Sequence, residues 1–404
     1  MGTRHQAMDT QQSLPGAHCL LPKKYIRVKI LFVAPRFHTN QVQLIKKLLE
    51  KKHEVSFHVA CIGPTEDHSL ITPLQNKQSK LSVFIEKIFG KGGANRRYYF
   101  PQLVSYWKGF KQLKPEIVVI RDPYKMFSLT AAFYALITKT KIIFYTQEDI
   151  CRSRSWRTLL KQKLTIRFFK AAWMTPVKSS HLPDNNSELK YMYHVPLPVI
   201  VTPEAEHSND IWGEGPKILM IGKYHQERKK HLLFLQALNK LKNRYRFTAT
   251  IAGECATEEQ WLKFKMIRHE ANTMKLAGQV QFKQNVPYNK IAELYASHHI
   301  FVLPAINEQY GVSVNEALGY GLPVICTDSC GAQFNITSGD NGFVIKSDSL
   351  DELTNALEML ISDYHKLNQM RDRSLQYARE NLSADIFYSK FSQLIRERFS
   401  LLMT

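Results

Sequence analysis

The sequence predicts an α/β protein of two Rossmann-like domains, each a parallel sheet with helices on both faces. The chain has 404 residues, which is more than one hydrophobic core usually serves. Short apolar runs alternate with segments of helical spacing, a pattern typical of parallel sheets. The same pattern restarts at residue 217, after a stretch with prolines at positions 196, 198, 203 and 216. These three observations together predict the two-domain α/β class.

In the first half, continuous apolar runs predict buried parallel strands, and the segments between them predict helices. The predicted strands cover residues 28–34, 54–60, 115–120 and 141–145. The predicted helices cover residues 43–52 and 127–137. Residues 1–26 show neither pattern and no signal-peptide core, so we expect a flexible tail there.

In the second half, the run at 217–221 opens a new series of strands, with a helix near 232–241. Further strands are predicted at 247–252, 280–282, 300–303 and 323–327. The predicted organisation is a tail at 1–26, an N-terminal domain at 27–200, a linker at 201–216, a C-terminal domain at 217–385 and a final helix at 386–404.

The net charge of +20 is confined to the first half of the chain. Residues 1–200 hold 32 Lys and Arg against 12 Asp and Glu, whereas residues 201–404 hold 23 of each. Such an excess attracts an anionic partner, and nucleic acid, an anionic membrane surface and an anionic acceptor all qualify. Nucleic acid is not expected, because the sequence has neither an aromatic RNA-binding signature nor a clear helix-turn-helix.

The cysteines and the apolar runs indicate a cytoplasmic protein. The six cysteines are scattered and include no Cys-x-x-Cys pair, so we expect reduced, structural thiols. No apolar run reaches the roughly 18–20 residues that a membrane span needs. Any membrane contact would therefore be peripheral.

The strongest functional signal is the segment 308–316, Glu-Gln-Tyr-Gly-Val-Ser-Val-Asn-Glu, which follows the strand at 300–303. On one continuous helix Glu308 and Glu316 would lie about 12 Å apart. A loop that becomes a helix near Ser313 would bring them to one site, with a phosphate-binding helix N-terminus between them. Glu316, in the first turn, would then meet ribose hydroxyls and Glu308 sugar hydroxyls. The alternative is a solvated Glu308 and a Glu316 that only favours the helix dipole.

With the sequence that follows it, this segment resembles the retaining glycosyltransferases of family 4, which have the GT-B fold. The resemblance rests on the Glu-x7-Glu spacing and continues through Gly-Leu-Pro-Val-Ile-Cys-Thr-Asp at 321–328 and Gly-Asp-Asn-Gly at 339–342. It implies that Glu308 contacts the transferred sugar and Glu316 the ribose of the nucleotide. It also implies an acceptor-binding N-terminal domain, a nucleotide-sugar-binding C-terminal domain, and a last helix that packs back on the first domain.

A second motif, Gly-Lys-Tyr-His-Gln-Glu-Arg-Lys at 222–229, directly follows the strand at 217–221. The resemblance implies that cations here neutralise the donor diphosphate, Lys223 in the place of an Arg, and Arg228 or Lys229 in the place of a Lys. Departure of a nucleoside diphosphate builds negative charge, which fixed cations stabilise. The alternative is a solvated basic loop. The candidate catalytic residues are Lys223, Arg228, Lys229 and Glu308, and the candidate donor-binding residues are Gly222, Tyr310, Gly311, Val312, Ser313 and Glu316.

Two turns of the N-terminal domain are candidates for the acceptor side of the cleft. The first holds His38, Thr39 and Asn40 where relatives have a Gly pair, and Thr39 or Asn40 is also suited to cap the next helix. The second holds Gln147 and Glu148 where relatives carry a His. Residues that follow a parallel strand face the cleft of a doubly wound sheet. A plain capped turn is the alternative in both places.

Two basic segments suggest contact with an anionic membrane. Residues 152–170 carry seven cations and no acid, with apolar residues every fourth position, which predicts an amphipathic helix. Its apolar face is either needed by the core or free to interact. Residues 80–100 also mix cations with apolar side chains, and Phe84, Ile88 and Phe89 are suited to shallow insertion.

The function that the resemblance implies is transfer of a sugar from a nucleotide-diphosphate sugar to a glycan or lipid-linked acceptor, with retention of configuration. A UDP-sugar is expected ahead of a GDP-sugar, with no metal and no other cofactor, since no Asp-x-Asp motif is present. The expected setting is bacterial cell-envelope polysaccharide synthesis at the inner face of the plasma membrane. The alternatives are a nucleotide-sugar epimerase or hydrolase of the same fold, or a basic nucleic-acid-binding protein.

Overall fold

The computed structural model describes residues 27–63, 66–89, 99–148, 156–178, 191–203 and 214–403, without the side chains of Thr39 and Phe89. The predicted tail, the thiols of Cys19 and Cys151, and the basic residues 152–155 therefore lie outside the described residues. So do residues 90–98 of the second basic segment and most of the predicted linker.

The N-terminal domain contains a seven-stranded sheet with the order β3-β2-β1-β4-β5-β6-β7, in which every pair of neighbours is parallel. The strands are β1 Lys29–Arg36, β2 Glu54–Cys61, β3 Leu74–Gln75, β4 Ile117–Arg121, β5 Lys141–Tyr145, β6 Ala172–Thr175 and β7 Met192–His194. The helices are α1 Val42–Glu50, α2 Lys80–Phe89, α3 Leu103–Leu113, α4 Met126–Ile137 and α5 Trp156–Phe169.

Helices cover both faces of this sheet because successive side chains of a strand point to opposite faces. On β1, Ile30 and Phe32 pack with α1, whereas Leu31 and Val33 pack with the helices on the other side. That second layer consists of α3, α4 and α5. Strand β1 is therefore buried on both faces, which explains its continuous apolar run.

The C-terminal domain contains a six-stranded parallel sheet with the order β10-β9-β8-β11-β12-β13. The strands are β8 Lys217–Ile221, β9 Thr248–Gly253, β10 Val280–Gln284, β11 Ile300–Leu303, β12 Val324–Thr327 and β13 Gly342–Ile345. The helices are α6 His231–Leu241, α7 Glu258–Thr273, α8 Tyr288–Ala296, α9 Val312–Gly319, α10 Leu350–Ser362 and α11 Tyr364–Asn381.

The last helix, α12 (Ala384–Phe399), packs on the N-terminal domain beside α1. Phe387 and Phe391 are fully buried in that core. At the rim of the contact, Lys47 forms an ion pair with Asp385 at 2.6 Å between Nζ and Oδ1. The two Rossmann-like domains and the returning helix confirm the predicted fold.

The chain also crosses between the domains near residues 195–203. The Val199 amide donates to the carbonyl of Leu382 at 3.0 Å, which ties this crossing to the junction before α12. Gly319, at the end of α9, lies directly against the same segment, and a Cβ there would be 2.1 Å from the carbonyl oxygen of Ile200. The two crossings thus lie side by side.

The apolar row of helix α5 is not part of the core. The sequence interpretation in which the core needs this row is therefore wrong. The sheet is contacted instead by Gln162, Ile166 and Phe169. The residues that recur every fourth position, from Trp156 to Phe168, face solvent. Leu164 is two positions before Ile166, which places it about 200° away around the helix, so this row lies on the side opposite the sheet.

Candidate active site

A cleft of about 510 Å³ lies between the two domains, where the carboxyl ends of both parallel sheets meet. The N-terminal domain contributes four side chains to its wall, those of His38, Asn40, Arg121 and Gln147. The C-terminal domain contributes the loops after β8, β9, β10 and β11 together with the start of α9. The volume is in the range of sites for small organic ligands.

Glu308 lies in this cleft between two cations. Its Oε2 accepts a hydrogen bond from Nζ of Lys229 at 2.7 Å and a second from Arg228. Burial acts to raise the pKa of Glu308, but Lys229 and Arg228 outweigh it, and the pKa lies below its ordinary value. The carboxylate is therefore ionised and held in one place near neutral pH.

Lys229 is a buried cation, and the local fold holds it toward the cleft. It ends a 3₁₀ turn, Glu227–Lys229, whose Arg228 carbonyl accepts a hydrogen bond from the amide of Ile306 at 2.8 Å. Gly222 leaves room for the lysine stem, since a Cβ there would be 3.3 Å from its Cγ and Cδ. The turn after β8 and the loop after β11 are thereby fixed to one another.

Lys223 is also in the cleft, but it has a carboxylate partner that the sequence analysis missed. Its Nζ lies 2.5 Å from Oε2 of Glu254, the residue that follows β9. Burial acts to raise the pKa of Glu254, and the bond from Lys223 lowers it below the ordinary value. A position directly after a parallel strand was the available signal for Glu254.

Gly311 caps α9 in the left-handed conformation, with φ of 75°. A Cβ there would lie 2.6 Å from Sγ of Cys330, so the position is restricted both by conformation and by space. The first-turn amides of Val312 and Ser313 face the cleft, where a helix N-terminus favours an anion. Because α9 begins at Val312, Glu316 is in the second turn, and its predicted place in the first turn is wrong.

Glu316 lies at the floor of the cleft, in contact with an aromatic group. Its Oε2 accepts a hydrogen bond from the hydroxyl of Tyr295 at 2.8 Å. Burial raises the pKa of Glu316 to about 7, although the bond from Tyr295 acts in the opposite direction. A second cavity of about 230 Å³ adjoins this floor and is lined in part by Tyr288, Tyr310 and Tyr320. Tyr310 thus faces this second cavity and the N-terminal core.

The opposite wall of the cleft is formed by a hydrogen-bonded group on the N-terminal sheet. Arg121, at the end of β4, donates to Oε1 of Gln147 at 3.1 Å, and Nε2 of Gln147 donates to the hydroxyl of Tyr145 at 2.9 Å. Burial, assisted by the charge of Arg121, lowers the pKa of His38 to about 3. Arg121 was not predicted, although a cation that ends an apolar strand could have indicated it.

Three sequence interpretations of this wall are wrong. Asn40 does not cap α1, because a 3₁₀ turn, Thr39–Gln41, precedes the helix and Gln41 takes the cap position. Thr39 does not take the cap position either. Glu148 is exposed and is not among the residues that line the cleft.

The described residues show neither a metal-binding cluster nor a membrane-spanning helix. In the described part of the chain, no group of three or more His, Cys, Asp or Glu side chains is placed to hold a metal ion. None of the described helices is long and apolar enough to cross a membrane. The thiols of Cys61, Cys255, Cys326 and Cys330 are free.

The C-terminal domain matches a known family. Residues 202–380 match the family described as "Glycosyl transferases group 1". The matched segment begins in the crossing between the domains and ends in α11. It thus includes every cleft residue that the C-terminal domain contributes. This part of the chain is therefore similar to that family over less than half of the chain's length.

Curated relatives match the chain over short segments. The chain is 26% identical over 172 residues to the GDP-Man:Man(3)GlcNAc(2)-PP-Dol alpha-1,2-mannosyltransferase of Caenorhabditis elegans, which is 41% of this chain and 36% of that protein. It is 27% identical over 101 residues to the D-inositol 3-phosphate glycosyltransferase of Corynebacterium aurimucosum, 25% of this chain and 24% of that protein. The chain thus matches about a third or less of the length of these relatives.

Solved structures match nearly the whole chain. A glycosyltransferase from Rickettsia africae superimposes with a TM-score of 0.67 at 16% identity, over 93% of this chain and 99% of that one. The HepE protein of Anabaena, in complex with UDP and glucose, superimposes with a TM-score of 0.69 at 14% identity, over 92% and 100%. At such identities the likeness shows the fold, which is that of GT-B glycosyltransferases.

Proposed function

We propose that the protein is a retaining glycosyltransferase of family 4 that moves a sugar from a nucleotide-diphosphate sugar to a glycan or lipid-linked acceptor. The observation that carries the proposal is the placing of Glu308, Lys229, Arg228 and the start of α9 around one cleft. A largely buried carboxylate can accept hydrogen bonds from the hydroxyls of a nucleotide sugar. Two cations and a helix N-terminus can bind its diphosphate.

The donor is proposed to bind with its diphosphate between the α9 amides and the cations of Lys229 and Arg228. Its ribose hydroxyls donate to Glu316, and a hydroxyl of its sugar donates to Glu308. A diphosphate in this place competes with Glu308 for the two cations, and the released carboxylate is then free to accept from the sugar. Lys223, already paired with Glu254, is given a secondary role in this proposal.

In the proposed reaction the bond between the sugar C1 and the diphosphate oxygen breaks, and a bond from C1 to the acceptor oxygen forms on the same face. The acceptor proton passes to the departing phosphate oxygen. Positive charge develops on the sugar ring and negative charge on the diphosphate. Fixed cations and helix amides stabilise the second charge, so the proposed reaction needs no metal ion.

The names of similar proteins support a nucleotide sugar as the donor but do not identify its nucleotide. HepE was solved with UDP and with UDP-glucose, whereas the nematode relative is named for a GDP-mannose donor. We propose a UDP-sugar ahead of a GDP-sugar. We also propose that the reaction belongs to bacterial envelope polysaccharide synthesis at the inner face of the plasma membrane, where such acceptors are made.

A panel of nucleotide sugars tests the proposal in two steps. Thermal unfolding of the purified chain with each donor should give one class of donor that raises Tm, because a ligand that binds only the folded state stabilises it. With that donor, nucleotide release should depend on added acceptor. No Tm shift with any donor would contradict the proposal, and epimerised donor or acceptor-independent hydrolysis would favour the other enzyme classes.

A further inference from the structure

The helices α3, α4 and α5 form one layer on the N-terminal sheet, and the outer side of this layer is unusually apolar. The inner side forms the core, with Phe110, Phe127 and Ile166 buried against the strands. We call the opposite side the outer face. The large apolar side chains exposed on it are Leu103, Val104, Phe133, Leu136, Ile137, Trp156, Leu160, Leu164 and Phe168, between 37% and 70% exposed.

The exposed apolar side chains of α5 and Phe133 of α4 are neighbours rather than isolated residues. On α5, Trp156, Leu160, Leu164 and Phe168 line a shallow groove of about 590 Å³. Phe133 of α4 continues the surface, with its ring centroid 6.3 Å from that of Phe168. Contiguous exposed apolar surface of this kind is rare unless another surface covers it.

The charge of the outer face has one sign. None of the three helices contains an acidic residue. The exposed cations on and directly after these helices are Lys108, Lys111, Lys114, Lys139, Arg157, Lys161, Lys163, Arg167 and Lys170. One of them, Lys161, has its Nζ 3.7 Å from the ring centroid of Tyr124.

We infer that the outer face docks on an anionic lipid bilayer. The apolar side chains of α5 and α4 enter the interface, and the surrounding cations meet the anionic lipid headgroups. A second copy of the chain is a poor occupant, because a twofold contact would place these cations against one another. A polynucleotide would satisfy the cations but leave the leucines and phenylalanines in water.

The position of the outer face relative to the cleft also agrees with a bilayer as its partner. Membrane docking is a property separate from the proposed reaction. Helix α5 follows β5, whose carboxyl end is at the cleft, so the N-terminal end of α5 with Trp156 is on the cleft side. A bilayer against the outer face would therefore lie beside the mouth of the cleft. The sequence analysis also named Phe84, Ile88 and Phe89 for insertion; of these α2 residues Phe84 and Ile88 are exposed, but the helix carries Glu86.

Flotation of the full chain with vesicles tests the inference without donor or acceptor. We expect the wild-type protein to float with vesicles of phosphatidylcholine and phosphatidylglycerol but not with phosphatidylcholine alone. The double variant Leu164→Gln, Phe168→Gln should reduce the bound fraction at least about fivefold. Both positions are exposed, so the variant should unfold at the wild-type temperature.

A matched control lies on α7 of the other domain, where Leu262 and Met266 are exposed to a similar degree on one helix. The double variant Leu262→Gln, Met266→Gln should float like the wild type. Flotation of the α5 variant at the wild-type level would overturn the inference, as would loss of binding in Phe84→Gln, Ile88→Gln instead. Wild-type dimers that only the α5 variant dissociates would assign the face to a second copy, which also overturns it.

Discussion

Glu308 combines two roles that depend on the state of the cleft. In the structure it neutralises the buried Lys229 and the partly exposed Arg228, so the two cations are kept from repelling one another. In the proposed complex the diphosphate takes over that neutralisation, and Glu308 turns to the sugar. A carboxylate with both roles should affect catalysis much more than donor binding.

The first prediction concerns this division of roles. Glu308→Gln should lower kcat by about 10²-fold or more, since it removes the charge that faces the positive sugar ring in the transition state. Donor affinity should stay the same or increase, because Lys229 and Arg228 no longer have a competing carboxylate. Steady-state kinetics and donor titration measure the two effects separately.

A matched control is Glu358→Gln, which removes a carboxylate paired with Arg244 on the surface of the same domain. It should leave both quantities at wild-type values. Loss of donor affinity with unchanged kcat in Glu308→Gln would instead assign this residue to ground-state binding.

The second prediction compares the two lysines of the 222–229 segment. Lys229→Met should lower kcat by about 10²-fold, because the buried ammonium is the better placed charge for the leaving diphosphate. Lys223→Met should have a smaller effect, since Glu254 neutralises Lys223, whereas Lys229 shares the single carboxylate of Glu308 with Arg228. Turnover of both variants at saturating donor decides the order, and a larger loss for Lys223→Met would reverse the assignment.

The third prediction follows from the pKa of Glu316, which burial raises to about 7. Only the carboxylate accepts from both ribose hydroxyls, so affinity for a UDP-sugar should rise about tenfold between pH 6 and pH 8. The tyrosines around Glu316 have raised pKa values and stay neutral in this range, and burial keeps His38 neutral. Calorimetric titration at several pH values measures the change.

Glu316→Gln provides the control and tests the sign. A raised carboxyl pKa means that the folded state binds more protons than the unfolded state between about pH 4.5 and 7, so folding stability falls as pH rises through that window. The variant should therefore have weak, pH-independent donor affinity but a higher Tm than the wild type at pH 8, with little difference at pH 5. A lower Tm at pH 8 would contradict the buried carboxylate.

At the scale of elements, the strands were predictable because parallel strands buried on both faces appear as continuous apolar runs. The short strands β3, β6, β7 and β13 and the polar helix α7 were not predicted, and their place depends on partners distant in sequence. The same holds in the site. The Glu308 and Glu316 pair lies within one motif, whereas the pair of Lys223 and Glu254 spans 31 positions and forms only in the folded sheet.

The sequence also did not predict which face of a helix packs on the sheet. The pattern of α5 indicated an amphipathic helix, but which apolar row meets the sheet depends on the packing angle. Ile166 and Phe169 meet it, and Leu160 and Leu164 do not.

The fourth prediction concerns the start of α9. Gly311→Ala should destabilise the protein by at least about 1 kcal/mol, because φ is 75° and the added Cβ would meet Sγ of Cys330 at 2.6 Å. Any shift of α9 also moves the amides proposed to hold the diphosphate, so donor affinity should fall. Chemical denaturation and donor titration measure both.

Gly278→Ala is the matched control, since a Cβ there would have no neighbour within 4 Å and its φ is not in the left-handed region. It should stay within about 0.5 kcal/mol of the wild type. Wild-type stability in Gly311→Ala would show that α9 adjusts at little cost, and the argument for a rigid anion site would then fail.

At the scale of the whole molecule, the two domains are joined by two chain crossings that lie next to each other. The crossing near residues 195–203 is hydrogen-bonded to the junction before α12 through Val199 and Leu382. The groups proposed to bind the donor are on the C-terminal domain, whereas Arg121, Gln147 and His38 face them from the N-terminal domain. Adjacent crossings beside an open cleft are the arrangement of a hinge.

The fifth prediction is that a donor closes this hinge. A nucleotide sugar that reaches from the α9 amides to Arg121 or His38 binds the closed state better than the open one, and only such a difference in affinity can shift the equilibrium. X-ray scattering of the full chain should therefore give a smaller radius of gyration at saturating donor than without it.

Lys229→Met is the control at the same donor concentration. Its donor affinity should be lower, because the contact with the diphosphate is lost. Its scattering curve should therefore stay closer to that of the empty protein. Saturation must be shown independently by the rise in Tm. If the wild-type curves are identical with the donor bound, the cleft is already closed enough to contact the donor from both sides. The N-terminal wall would then be preformed, and Arg121 and Gln147 would act on the donor without any movement of their domain.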